Sequence, residues 1–202
     1  MKKISIYRLS VVIFTLILVV SAVTYAKITQ SNIAKSVLRL HIVANSDTEC
    51  DQRLKIAVRD RVLAEARHLF ENTLSADHAQ KVAKENIKYL EEIAKDEIEK
   101  QGYSYSAEVK VGKFAFPVKF YDDIMLPSGQ YNAVQIIIGE GKGRNWWCVM
   151  YPPMCSLDGI TMDSGKEALK NSLSPKEYDM VSSHTPKAEI RFKIVDIINS
   201  FI

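Results

Sequence analysis

The chain has 202 residues, enough for one domain of ordinary size and a short appendage. Three of its 27 basic residues, Lys2, Lys3 and Arg8, lie within the first eight positions; the other 24 equal the 24 acidic residues. A formally neutral body argues against a nucleic-acid or other polyanion partner, because no net positive charge is left to drive phosphate contacts.

Residues 1–26 read as a targeting segment: a basic start, the uncharged run Leu9–Ala26, and small residues near its end. Thr24-Tyr25-Ala26 fits a cleavage site, with Ala26 as the last residue removed. The run is also close to bilayer length, so an uncleaved single-span anchor is the other outcome. Either way the basic flank sends the rest of the chain across the membrane. Lys27–Ser36 is polar and weakly patterned and is expected to be a tether. Residues 37–202 are then a single exported domain.

Within that domain, Leu38, Leu40 and Ile42 alternate with Arg39, His41 and Val43, a strand period. Asn45-Ser46-Asp47 ends it, and Ser46 with Glu49 makes a capping-box pattern for a first helix carrying Leu54, Val58, Val62, Ala66 and Leu69. A second helix is expected from Ser75–Asp77 through Ala83, Ile87, Leu90, Ala94 and Ile98, closed by Gly102. Alternation then takes over in Tyr103–Val111 and again in Phe114–Phe120, and Gly112-Lys113 between them predicts a hairpin. Pro117 assigns the second of these strands to a sheet edge.

Pro127-Ser128-Gly129 turns into an inner strand, Tyr131–Ile138, and Trp146–Tyr151 is another, stopped by Pro152-Pro153. Ser164–Leu173 is expected to be helical. Ser174-Pro175-Lys176-Glu177 is a stronger helix start, and Ile190, Phe192 and Ile194 predict a closing strand. The whole reads as α+β, with a mostly antiparallel sheet covered by two N-terminal helices.

Arg39, His41, Asn45, Ser46, Asp47 and Asp51 gather where the first strand passes into the first helix, and make either a recognition patch or simply a helix cap with its neighbours. Gly139, Gly141 and Gly143 lie in GEGKGRN, which matches neither the GxxxxGK[ST] nor the GxGxxG template and leads into a strand, so it reads as a connection presenting Lys142 and Arg144. Trp146 and Trp147, being adjacent in a strand, must face opposite ways; one facing outward is a candidate contact residue. Export permits a disulfide, and Cys148 and Cys155 are the natural pair, leaving Cys50 free. With no CxxC, HExxH or histidine cluster, neither a metal nor a cofactor is expected. The catalytic alternative is an envelope peptide or peptidoglycan hydrolase using His41 with a carboxylate or a thiol.

Together, the leader, HIVANSDTECDQRLKIAVRD and LPSGQYNAVQIIIGEGKGRNWWCVMYPPMC resemble the stage II sporulation protein R family of endospore-forming bacteria. The resemblance spans about Val37 to Val195, and GEGKGRNWWCVMYPPMC is its most distinctive part. It implies a non-enzymatic signal exported from the forespore into the space between forespore and mother-cell membranes. There it would activate a membrane aspartic protease, stage II sporulation protein GA, which processes pro-sigma-E. No catalytic residues carry over; Arg39, His41, Asn45, Asp47, Trp146 and Trp147 are the candidate partner contacts.

Overall fold

In the computed structural model, which describes residues 2–155 and 159–182, the chain begins with a long helix, α1 (Lys2–Lys35). Its segment Ile6–Lys35 is long and apolar enough to cross a membrane. The helix does not stop at the expected leader boundary. Residues 27–35, expected as a tether, are helical, and Thr29, Ile33 and Ala34 are buried. Their spacing of four and five residues puts one narrow stripe against the domain while Ile28 stays exposed, so the segment is weakly patterned yet packed.

Strand β1 (Leu38–Val43) follows, then three helices: α2 (Glu49–Phe70), α3 (Ala76–Glu85) and α4 (Ile87–Lys100). The cap of α2 is Thr48, whose hydroxyl accepts from the Asp51 N–H, and not Ser46. Ser46 is spent otherwise, donating to the Asp51 carboxylate at 2.6 Å. The expected second helix is two, broken at Asn86 (φ −112°, ψ 20°), whose side chain donates to Val82 C=O. Gly102 ends α4 as expected. At φ 82° it lets Tyr103 N–H reach back to Ile98 C=O and its own N–H to Glu99 C=O, the Schellman closure.

The hairpin predicted at Gly112-Lys113 is absent. Strand β2 (Ala107–Phe116) runs straight through Gly112 and pairs along its length with β5 (Gly129–Ile138), Gly112 opposite Ala133. The two alternating runs differ in phase by one residue, so a single strand turns Val109 and Val111 to the helical face and Phe114 and Phe116 to the other, and Gly112 has no left-handed φ to reverse it. The turn comes after Pro117, in a small two-stranded ribbon of β3 (Lys119–Tyr121) and β4 (Ile124–Leu126) reversed at Asp122, φ 55°.

Strand β6 (Asn145–Tyr151), helix α5 (Gly159–Ser172) and helix α6 (Pro175–Ser182) complete the described elements. Ser174 caps α6 and is answered by Glu177, the reciprocal box. The closing strand expected at Ile190–Ile194 lies outside the described residues.

The main sheet has the order β2-β5-β1-β6, with β1 parallel to β5 and the other two neighbour pairs antiparallel. The architecture is α+β. On one face Leu40, Ile42, Val134, Ile136 and Cys148 pack against the apolar stripes of α2, α3 and α4, so the expected helical cover is present with its second helix divided. The other face is covered as well. There Tyr131, Ala133 and Val149 meet the end of α1, the β3–β4 ribbon, α5 and α6. That second layer changes the meaning of every polar residue on β1.

Candidate functional site

Asn45, Ser46 and Asp47 follow β1, and the glycine segment follows its parallel neighbour β5, so both loops emerge at the same end of the sheet. They are docked on each other. Lys142 N–H donates to Asn45 C=O at 3.1 Å and Gly143 N–H to Ala44 C=O at 2.9 Å. The Asn45 side chain accepts from Glu140 N–H, and Asp47 Oδ1 accepts from Arg144 N–H at 2.6 Å. A β-carbon on Gly143 would sit 2.2 Å from Ser46 O and one on Gly139 2.3 Å from Asn45 Oδ1, so glycine is what lets the loops approach. The GEGKGRN segment is therefore a built half of a two-loop tip rather than a slack connection.

Asp51 anchors this tip from the first turn of α2, and its carboxylate accepts from Asn45 Nδ2 and Ser46 Oγ. Burial pushes its pKa up, but the hydrogen bonds from Ser46, Asn45, Tyr105 and Thr48 outweigh burial and hold it below the usual aspartate value. Lys55, one turn on and also buried, donates to Gln52 Oε1 and Arg144 C=O. Desolvation, then the nearby Arg144 charge, lower its pKa. Lys55 was not legible as a site residue; its only signal was a lysine beside Leu54 on the buried stripe. The outer rim of the tip (Asp47, Thr48, Glu49, Glu140, Lys142, Arg144) is exposed.

Arg39 and His41 are elsewhere. Both lie under the second layer, Arg39 wholly buried and His41 7 % exposed. The Arg39 guanidinium lies 4.1 Å from the Phe116 ring centre and 4.6 Å from that of Tyr131, and donates to Tyr121 Oη at 2.6 Å. Its Nε and Nη1 have no hydrogen-bond partner, and no ion pair joins it among the described residues. Aromatic faces take the place of a carboxylate around this charge. Burial raises the Tyr121 and Tyr131 pKa values, against the pull of Arg39.

His41 is stacked on Trp147, ring centres 3.9 Å apart and planes 12° from parallel. Its Nε2 donates to Asn145 Oδ1 (2.7 Å) and its Nδ1 accepts from Gln135 Nε2 (2.8 Å), an arrangement only the neutral ring satisfies. Desolvation lowers its pKa, partly offset by the Asn145 bond. Gln135, Asn145 and Phe116, which complete this cluster, carried no signal in the sequence beyond their place in alternating strands.

Trp146 and Trp147 point to opposite faces, and both are half-buried. Trp146 packs beneath Arg59, whose guanidinium carbon is 4.4 Å from the indole centre. Cys148 and Cys155 form a disulfide, Cα atoms 5.6 Å apart, and Cys50 is free and exposed. Cys148 lies on the α2 face, opposite to His41, so a thiol–imidazole pair between them does not form. Of the six candidate contacts, Asn45 and Asp47 come together at the tip, whereas Arg39, His41 and Trp147 share the covered face.

The fold and its surfaces define a class: an α+β domain continuous with an apolar N-terminal helix suited to export or anchoring, pinned by a disulfide. The profile of stage II sporulation protein R matches residues 34–161, and the chain is 38% identical over 153 residues to the stage II sporulation protein R of Bacillus subtilis strain 168, covering 75% of this chain and 68% of that one. The chain belongs to the stage II sporulation protein R family, and its role is in sporulation. No solved structure matches it.

Proposed function

We propose that the chain is a signal rather than an enzyme: exported from the forespore into the intermembrane space, it activates the membrane aspartic protease, stage II sporulation protein GA, that processes pro-sigma-E. Activation of this kind requires only that the ligand bind the protease's active state more tightly than its inactive one. The observation that carries the reading is the polarity of the domain. Helix α1 packs at the starts of β1 and β5, with Gln30 against Gly129, while the two-loop tip is at their far ends. The six residues of β1 alone span about 20 Å. The tip is thus at the end of the sheet remote from the point where the helix enters the domain.

The test is co-expression of the full chain, the protease and pro-sigma-E. Asp47→Ala and Lys142→Glu, both on the exposed rim, are expected to cut processing at least tenfold in folded, exported protein. Full processing by both would remove the tip as the contact surface. Processing in the complete absence of the chain would sink the signalling reading itself.

A further inference from the structure

The loop between α2 and α3 is pinned on both sides of one leucine. Thr73 is buried; its N–H and its hydroxyl both donate to Phe70 C=O, and its own C=O accepts from Tyr151 Oη at 3.2 Å. Ser75 caps α3, its hydroxyl accepting from His78 N–H. Leu74, held between these two anchors, is 91 % exposed, more than any other large apolar side chain described. The loop turns it outward and fixes it there.

Beside it lies an apolar groove of about 420 Å³ between the last turns of α2, the disulfide segment and α5. Leu63, Ala66 and Phe70 line it from α2, Met150 and Pro153 from the end of β6 and the turn after it, and Ala168 from α5; Thr73 joins it to the Leu74 loop. Arg67 and Glu71, both exposed, also line it and carry opposite charges, so the groove's rim selects no charged partner. An outward leucine continuous with an apolar groove is more than the scattered single apolar residues of an ordinary surface.

The place of this patch in the fold names what covers it. Tyr151 pairs with Leu38, the first residue of β1, so loop and groove are at the end of the sheet where α1 joins. Gln30 packs on Gly129, four residues before Ala133, the partner of Arg39, and hence about 13 Å further from the tip than that pair. Helix α1 therefore leaves the domain at this end instead of folding back over the sheet, and residues 6–28 include no buried position. No tether intervenes. In the uncut chain, a bilayer holding residues 6–25 would end about one helical turn before Thr29, the first buried residue described.

We propose that this end of the domain is a second membrane contact of the uncut chain: Leu74 enters the bilayer interface, and phospholipid acyl chains cover the groove between α2 and α5. The contact is separate from the tip and does not depend on the receptor assignment. It would hold the domain at two points, the end of α1 on one face of the sheet and the Leu74 loop on the other.

The test uses the full chain in phosphatidylcholine vesicles, with Cys50→Ser so that a single introduced thiol carries a nitrobenzoxadiazole fluorophore. Labels are placed at Leu74→Cys, at Ala168→Cys and, as the reference on the tip, at Lys142→Cys. Lipids carrying a doxyl quencher are expected to quench the first two at least about threefold more than the third. A doxyl near the ester should quench them more than one near the chain end, since an interfacial contact reaches only about 5–10 Å into the bilayer. Quenching at position 74 or 168 equal to that at 142 would overturn the proposal. A blue-shifted label at 168 that doxyl lipids leave unquenched would assign the groove to the chain's own residues 183–202, and would overturn it as well. So would a shift that grows with the protein-to-lipid ratio, which assigns the patch to a second copy.

Discussion

Replacing Gly143 by alanine tests whether the tip is one unit. The added methyl carbon would lie 2.2 Å from Ser46 O, 2.6 Å from Ser46 C and 2.9 Å from the Ala44 methyl, two of these being backbone atoms that cannot swing aside. Gly143 is not in the left-handed region, so alanine carries no intrinsic backbone penalty there. The loops must therefore part by about 1 Å, the shortfall from an ordinary van der Waals contact. Three hydrogen bonds lie across that seam: Gly143 to Ala44, Lys142 to Asn45 and Arg144 to Asp47. At about 1 kcal/mol each, their joint weakening predicts a loss of about 2–3 kcal/mol. Urea unfolding of the full chain in micelles, followed by tryptophan fluorescence, measures it, with Gly112→Ala as the reference because a β-carbon there meets nothing nearer than 3.7 Å. A Gly143→Ala midpoint equal to that of Gly112→Ala would refute the docked-loop account.

Three other outcomes are expected. Asp51→Ala strands the Asn45 and Ser46 donors and should cost about 2–3 kcal/mol in the same unfolding assay. His41 is neutral when folded and its pKa is depressed, so the unfolded chain takes up protons first; stability is full above the ordinary histidine value of about 6.5 and declines as pH falls below it. His41→Gln should flatten that slope between about pH 7 and 5.5 in thermal scans. Reducing the Cys148–Cys155 bond, seven residues apart, opens a short loop and should cost about 2–3 kcal/mol, read as a lower urea midpoint in reductant.

What the sequence conveyed follows the range of the forces involved. Local signals were dependable: the β1 alternation, the Gly102 stop and the Ser174-Pro175-Glu177 start all depend on atoms within a few residues of each other. Gly112 misled because a glycine permits a turn without requiring one, and ten ladder pairs with β5 decide the matter from elsewhere in the chain. Thr48 displaced Ser46 as the cap because Asp51 claims the serine hydroxyl. Arg39 and His41 read as members of a patch at the junction of strand and helix; a second layer supplied by α1, α5, α6 and the β3–β4 ribbon buries them instead. No pattern within β1 records that layer. Asn45 and Asp47 were legible as a cluster, yet their docking on residues 139–144 follows from the parallel pairing of β1 with β5, which no spacing reveals.

The uninterrupted passage of α1 into the domain has a mechanical consequence. A flexible joint would let the domain tumble on its anchor; a helix whose last two turns are gripped by the core transmits tilt as a lever does. With the tip about 20 Å beyond the grip, the ordinary transmembrane tilt of about 20° would swing it sideways by about 7 Å. Were the leader left uncut in a bilayer, the thickness and packing of the membrane at its base would bear on where the far loops point. Severing the chain after Ala26 would abolish that steering and leave Thr29, Ile33 and Ala34, and the fold they hold, in position.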